Sequence, residues 1–234
     1  MKDKKRIRVI FFSVFIVIGM IVGALCGYFD VSEKGLCIAI IICVGMAFVA
    51  GFVVNVVYVS KLAKKVDSLL PILYDEGNPD RYLTELELLL GNVKSPALRS
   101  VYCINRATAL FDKEEYARAK DALLEMDPKK ILGVNRLIYH LNMALICMHL
   151  GEEEDALQIW HENDKEFLKL KDSDNAGAAV ASLTIFVLIK KEQFEDASNE
   201  LETAKTKWKR ERDQKEFRFL EDKMTTYQYT TGTR

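Results

Sequence analysis

The chain begins with two long apolar runs and becomes rich in charged residues after residue 60. No charged residue occurs from position 9 to 29 or from 35 to 60. Each run is long enough for a helix to cross a hydrocarbon core ~30 Å thick, which takes ~20 residues. The pattern predicts two transmembrane helices, about 9–29 and 36–59. A cleaved signal peptide is the alternative for the first run, because a basic start and an apolar stretch are also its signature.

Beyond residue 61 the chain is rich in charge, and apolar residues recur at helical spacing. This periodicity predicts an all-α soluble domain over 61–223, an α-solenoid, with no strand. The predicted helices are 62–76, 80–91, 97–112, 115–126, 131–150, 152–170, 174–191, 193–210 and 212–223. Residues 224–234 are predicted to be disordered, because they cannot build an apolar face.

The basic residues orient the predicted hairpin. Five of them lie within the first eight residues, and Lys61, Lys64 and Lys65 follow the second run. The loop at 30–34 holds one lysine and two acids. Because cytoplasmic flanks carry an excess of Lys and Arg, both termini are predicted to be cytoplasmic in a multi-pass protein of the cell membrane. The net charge of −1 favours no class of partner.

Small residues recur at every fourth position in both runs. In lipid, close van der Waals contact between helices requires such residues, so these stripes predict a helix-packing face. The contact is predicted either within one hairpin or between two copies in a homo-oligomer. The residues are Gly19, Gly23 and Gly27 in the first run and Gly35, Ala39, Cys43, Ala47 and Gly51 in the second.

The soluble part repeats itself. A set of positions recurs 37 residues later, and a third copy follows from about residue 178. Self-similarity of this kind indicates stacked helical units. The first copy has Tyr102, Asn105, Ala107, Ala119 and Leu123; the second has Tyr139, Asn142, Ala144, Ala156 and Trp160; the third has Phe194, Ala197 and Leu201. Ala107, Ala119, Ala144, Ala156 and Ala197 are predicted to be buried where paired helices cross.

The pattern resembles the tetratricopeptide repeat, an antiparallel helix pair of about 34 residues. The resemblance covers roughly 62–210. It departs from the family at Ile185, which stands in a small-residue position, and at Glu153, which stands in an aromatic one. The family implies a concave groove that binds peptides, with an asparagine two residues before the small position gripping the peptide backbone. The implied groove residues are Asn105, Asn142, Val101, Ile104, Thr108 and Phe111.

Motifs for chemistry are not found in the sequence. His140, His149 and His161 lack metal-ligand spacing, the five cysteines form no CxxC pair, and phosphate-binding loops are missing. No catalytic, cofactor or metal site is predicted, and the chain is not expected to be an enzyme.

A basic segment at 205–215 surrounds Trp208. It could contact anionic lipid, bind nucleic acid, or form a polar capping helix held by charge pairs. The interleaved Glu211, Asp213 and Glu216 argue against nucleic acid.

The sequence therefore predicts a membrane-anchored scaffold that binds a protein or peptide. The alternatives are a regulator that binds nucleic acid or a lipid surface through the basic segment, and an accessory subunit of a membrane complex.

Overall fold

A computed structural model describes residues 13, 16, 19–24, 27–28 and 32–232 of the chain. Most of the first predicted span, about 9–29, therefore lies outside the described residues. The chain divides into two compact units, Met1–Lys61 and Leu62–Arg234. No strand occurs among the described residues, so their fold is all-α.

The described residues of the first apolar run are helical. The helix that follows, named α1, runs from Glu33 to Asp67. Within the described part of the chain, one stretch, Ile40–Tyr74, is long and apolar enough to cross a membrane. Its most apolar 18 residues have a mean hydropathy of 2.7, and none of them is buried. Charged residues begin at Lys61, and the second unit begins at Leu62. The uncharged part of this stretch therefore ends at residue 60.

Among the described residues, nine helices follow α1 in the second unit. Short 3₁₀ turns at Pro128–Lys130 and Leu168–Leu170 interrupt the loops between them. The helices are α2 (Leu70–Tyr74), α3 (Pro79–Leu90), α4 (Pro96–Asp112), α5 (Tyr116–Leu124), α6 (Val134–Leu150), α7 (Glu153–Phe167), α8 (Gly177–Lys190), α9 (Phe194–Lys207) and α10 (Glu211–Thr231).

The helices pack as antiparallel pairs, α4 with α5, α6 with α7 and α8 with α9. Each pair turns through a residue in the left-handed conformation: Glu114, Gly151 and Glu192. One residue further on, a backbone N–H donates to the carbonyl five residues back, from Glu115 to Leu110, Glu152 to Cys147 and Gln193 to Leu188. This is a recurrent way to end a helix. The three turns are therefore equivalent, and the second unit is a stack of similar helix pairs.

The core of the unit runs continuously from α4 to α10. All five alanines expected at helix crossings are fully buried, as is Ile185 in the third pair. Helix α8 carries nine buried residues on all its faces, since α6, α9 and α10 all pack against it.

Two sequence predictions need correction. The predicted helix 62–76 is divided between the end of α1 and the separate helix α2. Pro71 explains the break, because proline lacks a backbone N–H and its ring clashes with the preceding turn.

The predicted disordered tail, 224–234, is helical as far as Thr231; residues 233–234 lie outside the described part. Met224 and Tyr227 pack against the core. The Tyr227 ring also lies 4.2 Å from the Lys190 ammonium, and its hydroxyl donates to Glu153. Tertiary contacts therefore order a segment whose composition is polar.

Candidate partner-binding face

The residues predicted to line a groove lie on α4, except Asn142, which lies on α6. Asn105 is already engaged within the fold. Its Oδ1 accepts a hydrogen bond of 2.7 Å from the Tyr82 hydroxyl on α3, and its Nδ2 donates to the carbonyl of Val101. Asn105 therefore ties α3 to α4.

Asn142 is engaged in the same way one repeat later. Its Nδ2 donates to Thr108 Oγ1 at 2.9 Å, and the Thr108 hydroxyl donates to the carbonyl of Ile104. Ile104 itself is buried. The structure thus brings Thr108 and Asn142 together as a link between α4 and α6, and the grip of either asparagine on a peptide stays a prediction.

Phe111 lies at the edge of an aromatic cluster. The His149 ring stacks on Tyr116 at 4.4 Å and on Phe219 at 4.2 Å, while Phe111 meets it edge-on at 5.0 Å. Nε2 of His149 lies 2.9 Å from a carboxylate oxygen of Glu216. Phe219 and Glu216 both belong to α10, which therefore closes over the ends of α4 and α6.

A charged group adjoins these rings. The Arg212 guanidinium lies 3.1 Å from Asp112 Oδ1, and its carbon lies 4.7 Å from the centre of the Tyr74 ring. Nη1 of Arg212 and Oδ2 of Asp213 are buried and have no hydrogen-bond partner among the described residues. A buried polar group without a partner is costly to the fold, so each one calls for an explanation.

Burial raises the pKa values of the acidic side chains beside Arg212. Desolvation raises the pKa of Asp112 to about 6; Arg212 opposes the rise, and Asp213 and Glu216 add to it. Burial likewise raises the pKa of Asp213, against the influence of Arg212 and Arg210. Tyr74 also has a raised pKa because of burial. The carboxyl groups here are therefore held in conditions that disfavour their charge.

A cavity of about 210 Å³ opens between the rings and the charged group. Its walls include Phe111 and His149 from the helix pairs, Ser182 from α8, and Arg212 and Asp213 from α10. A smaller cavity of about 60 Å³ adjoins Thr108 and Asn142, and Phe111 and Arg212 line it as well. The two cavities therefore lie on either side of shared residues, Phe111 and Arg212.

Sequence reasoning did not identify Asp112, His149, Arg212, Asp213 or Phe219 as a group. Their positions span more than a hundred residues, and no spacing rule joins them. The one available signal was the alternation of acids with bases in 211–216, which indicated charge pairing for that segment.

Three lysines of the basic segment at 205–215 form ion pairs with other parts of the second unit. Lys205 bonds to Glu221 at 2.9 Å and Lys207 to Asp172 at 2.6 Å. Lys215 pairs with Glu114. These contacts fit the capping-helix interpretation, because a cation held by a carboxylate has less charge to offer a phosphate.

The cysteines of the second unit favour the thiol form. Burial raises the pKa of Cys103, and raises that of Cys147 to about 12. Cys147, Glu152 and Asp155 do bring potential metal-ligand atoms within 4.8 Å of one another. The Lys120 ammonium already pairs with Glu152, and a metal requires the thiolate. Glu152, one of the three candidate ligands, is therefore engaged in an ion pair within the fold.

The glycine stripes lie in the first unit. A Cβ built at Gly19, Gly23, Gly27 or Gly51 would meet no other atom of the described chain within 4 Å. Gly35, Ala39 and Ala47 lie on α1. The described residues thus show no contact between the two stripes, and their packing stays a prediction for lipid or for a second copy.

Comparison of this chain with models of protein families, with curated protein sequences and with solved structures finds no match. The described residues form an all-helical fold of packed helix pairs.

Proposed function

We propose that this protein is a membrane-anchored cytoplasmic scaffold whose tetratricopeptide-like solenoid binds a protein or peptide partner. The anchor rests on the apolar and unburied stretch of α1. The second unit carries its own core and has equivalent turns at Glu114, Gly151 and Glu192, which supports a repeat architecture. Both termini are placed in the cytoplasm by the distribution of lysine and arginine.

The observation that carries the binding proposal is the pair of buried polar atoms without partners in the charged cavity. Arg212 Nη1 is a donor and Asp213 Oδ2 an acceptor. A peptide group supplies the complementary pair, a carbonyl that accepts and an N–H that donates. Phe111 and the stacked rings of His149 and Phe219 add apolar surface beside it. An extended segment or an amide side chain of a partner offers both complementary groups to Arg212 and Asp213, two residues that line the cavity.

A binding role is proposed in preference to catalysis. The cysteines of the second unit have raised pKa values, so neither is an activated nucleophile. The alternative regulator that acts through the basic segment has less support, because Lys205, Lys207 and Lys215 each pair with a carboxylate. An accessory role in a membrane complex is compatible with the same cavity.

The test is site-specific photo-crosslinking of the full chain in its native membrane. A photoreactive aromatic amino acid replaces Phe111, so that an occupant of the cavity is captured. Asp213→Asn changes Oδ2 from an acceptor into a donor and should abolish the captured band. Asp222→Asn lies on an exposed position of the same helix and should leave the band intact. Capture that is equal in both variants, or no capture at all, would count against the proposal.

A further inference from the structure

The loop between α5 and α6 carries exposed apolar residues beside lysines. Leu132 is 80% exposed and Val134 59% exposed. Lys129 and Lys130 precede them in the turn Pro128–Lys130. Arg136 follows them at an exposed position. Residues 129–136 are called the Leu132 loop below.

The backbone directs Leu132 into solvent. Ile131 has an extended conformation, with φ −84° and ψ 131°, and its side chain is buried. Successive side chains on extended backbone point in opposite directions, so Leu132 points outward. Gly133 then turns the chain into α6 with φ 61°, a conformation that glycine adopts without steric cost. The exposure of Leu132 is therefore built into the fold.

The surroundings of the loop are positively charged. Lys130 has its carboxylate partner Asp127 at 3.4 Å, yet its side chain is 80% exposed. Glu125, at the end of α5, is shared by two guanidinium groups, those of Arg99 and Arg106. Within 125–136 the chain carries three cations, Lys129, Lys130 and Arg136, and two carboxylates, Glu125 and Asp127. In the segment 205–215, Lys205, Lys207 and Lys215 each pair with a carboxylate from another part of the chain, and all three lysines are less exposed than Lys130.

We propose that the Leu132 loop docks onto an anionic lipid surface. Exposed aliphatic side chains next to Lys and Arg match a bilayer interface, where the apolar groups enter the acyl boundary and the cations meet lipid phosphates. The proposal rests on the anchored location given under Proposed function. Tethering by the chain's own membrane helix keeps lipid at a high effective concentration, so a weak docking loop suffices.

The test uses the full chain reconstituted into vesicles of phosphatidylcholine, with and without phosphatidylglycerol. Leu132→Trp reports depth through quenching by lipids brominated on the acyl chain. Leu88→Trp is the matched control, because Leu88 is 78% exposed but follows two acidic residues, Glu85 and Glu87. The unsubstituted protein supplies the background from Trp160 and Trp208.

Leu132→Trp should be quenched more strongly than Leu88→Trp, and only where phosphatidylglycerol is present. Adding Lys129→Gln and Lys130→Gln to the Leu132→Trp protein should lower the ratio of docked to free loop about 30-fold. This corresponds to ~2 kcal/mol, or ~1 kcal/mol for each lysine near an anionic surface. Equal quenching at both positions, or quenching independent of phosphatidylglycerol in protein that floats with the vesicles, would overturn the docking alone. Protein that does not float with the vesicles would overturn the anchored location and the docking together.

Discussion

Asp112 is a residue whose chemistry depends on its place in the fold. Its pKa is about 6 in the folded protein, because burial outweighs the attraction of Arg212. In an unfolded chain an aspartate has a pKa of about 3.9. Between these values the folded state binds the proton more tightly, so the contribution of Asp112 to stability is largest below about pH 4 and is lost as the pH rises through about 6.

Asp112→Asn removes this titration. The free energy of unfolding of the natural protein, minus that of the variant, should therefore be more favourable at about pH 4.5 than at about pH 7. Urea unfolding of the full chain in detergent, followed by circular dichroism, measures both values. A difference that stays constant over this interval would show that Asp112 titrates normally.

Ala156 is fully buried at the start of the second helix of its pair, where there is no room for a longer side chain. Ala156→Leu should overpack the crossing and destabilise the domain by about 1–3 kcal/mol. Ala117→Leu provides the comparison, since Ala117 is exposed on α5 and should change stability by no more than about 0.5 kcal/mol. Thermal unfolding of both variants tests the register of the repeat, and an unchanged melting temperature for Ala156→Leu would contradict it.

At the scale of elements, Glu153 of α7 makes several of the polar contacts that hold α10. The Glu153 carboxylate pairs with Lys190 of α8 and lies 2.5 Å from the Lys223 ammonium of α10. It also accepts the Tyr227 hydroxyl. Because these contacts are partly buried, losing the charge of Glu153 affects the helix more than losing a surface ion pair would.

Glu153→Gln should loosen α10 and raise amide hydrogen exchange over 211–231 about tenfold, the equivalent of roughly 1.4 kcal/mol, close to the lower end of the range of ~1.5–3 kcal/mol for a hydrogen bond to a charged group. Glu154→Gln, which is exposed on the next position of α7, should leave the exchange unchanged. Hydrogen exchange measured by mass spectrometry distinguishes the two. Equal protection in both variants would mean that the apolar contacts of Phe217 and Leu220 hold α10 unaided.

At the scale of the whole molecule, orientation in the membrane is the property that the charges predict. Lys61, Lys64 and Lys65 follow the apolar part of α1 and favour a cytoplasmic second unit. A reporter that is active only in the cytoplasm, fused after Arg234, should therefore be active. A cysteine at Ser32 should react with an impermeant thiol reagent from outside. An inactive reporter, or a protected Ser32→Cys, would reverse the orientation.

Much of the helical architecture could be predicted from the sequence, because its determinants are local. The spacing of apolar residues predicted a helix at 97–112 where the structure has Pro96–Asp112. The same holds for the helix predicted at 80–91, which is Pro79–Leu90. Proline at the first position of each helix and turn residues between them mark these boundaries without reference to distant contacts. The all-α class follows from the same periodicity.

The candidate site is a product of tertiary packing. His149 stacks on Phe219, 70 positions further along the chain, and Arg212 meets Asp112 across a hundred positions. Periodicity states which face of a helix is apolar, but not which side chains of other helices that face will meet. The polar segment after residue 224 is helical for the same reason, since α7 and α8 supply the partners of Tyr227. The sequence by itself determined most of the helices and the apolar character of the first sixty residues; packing between distant helices decided the cavity, its raised pKa values and the order of the C-terminal helix.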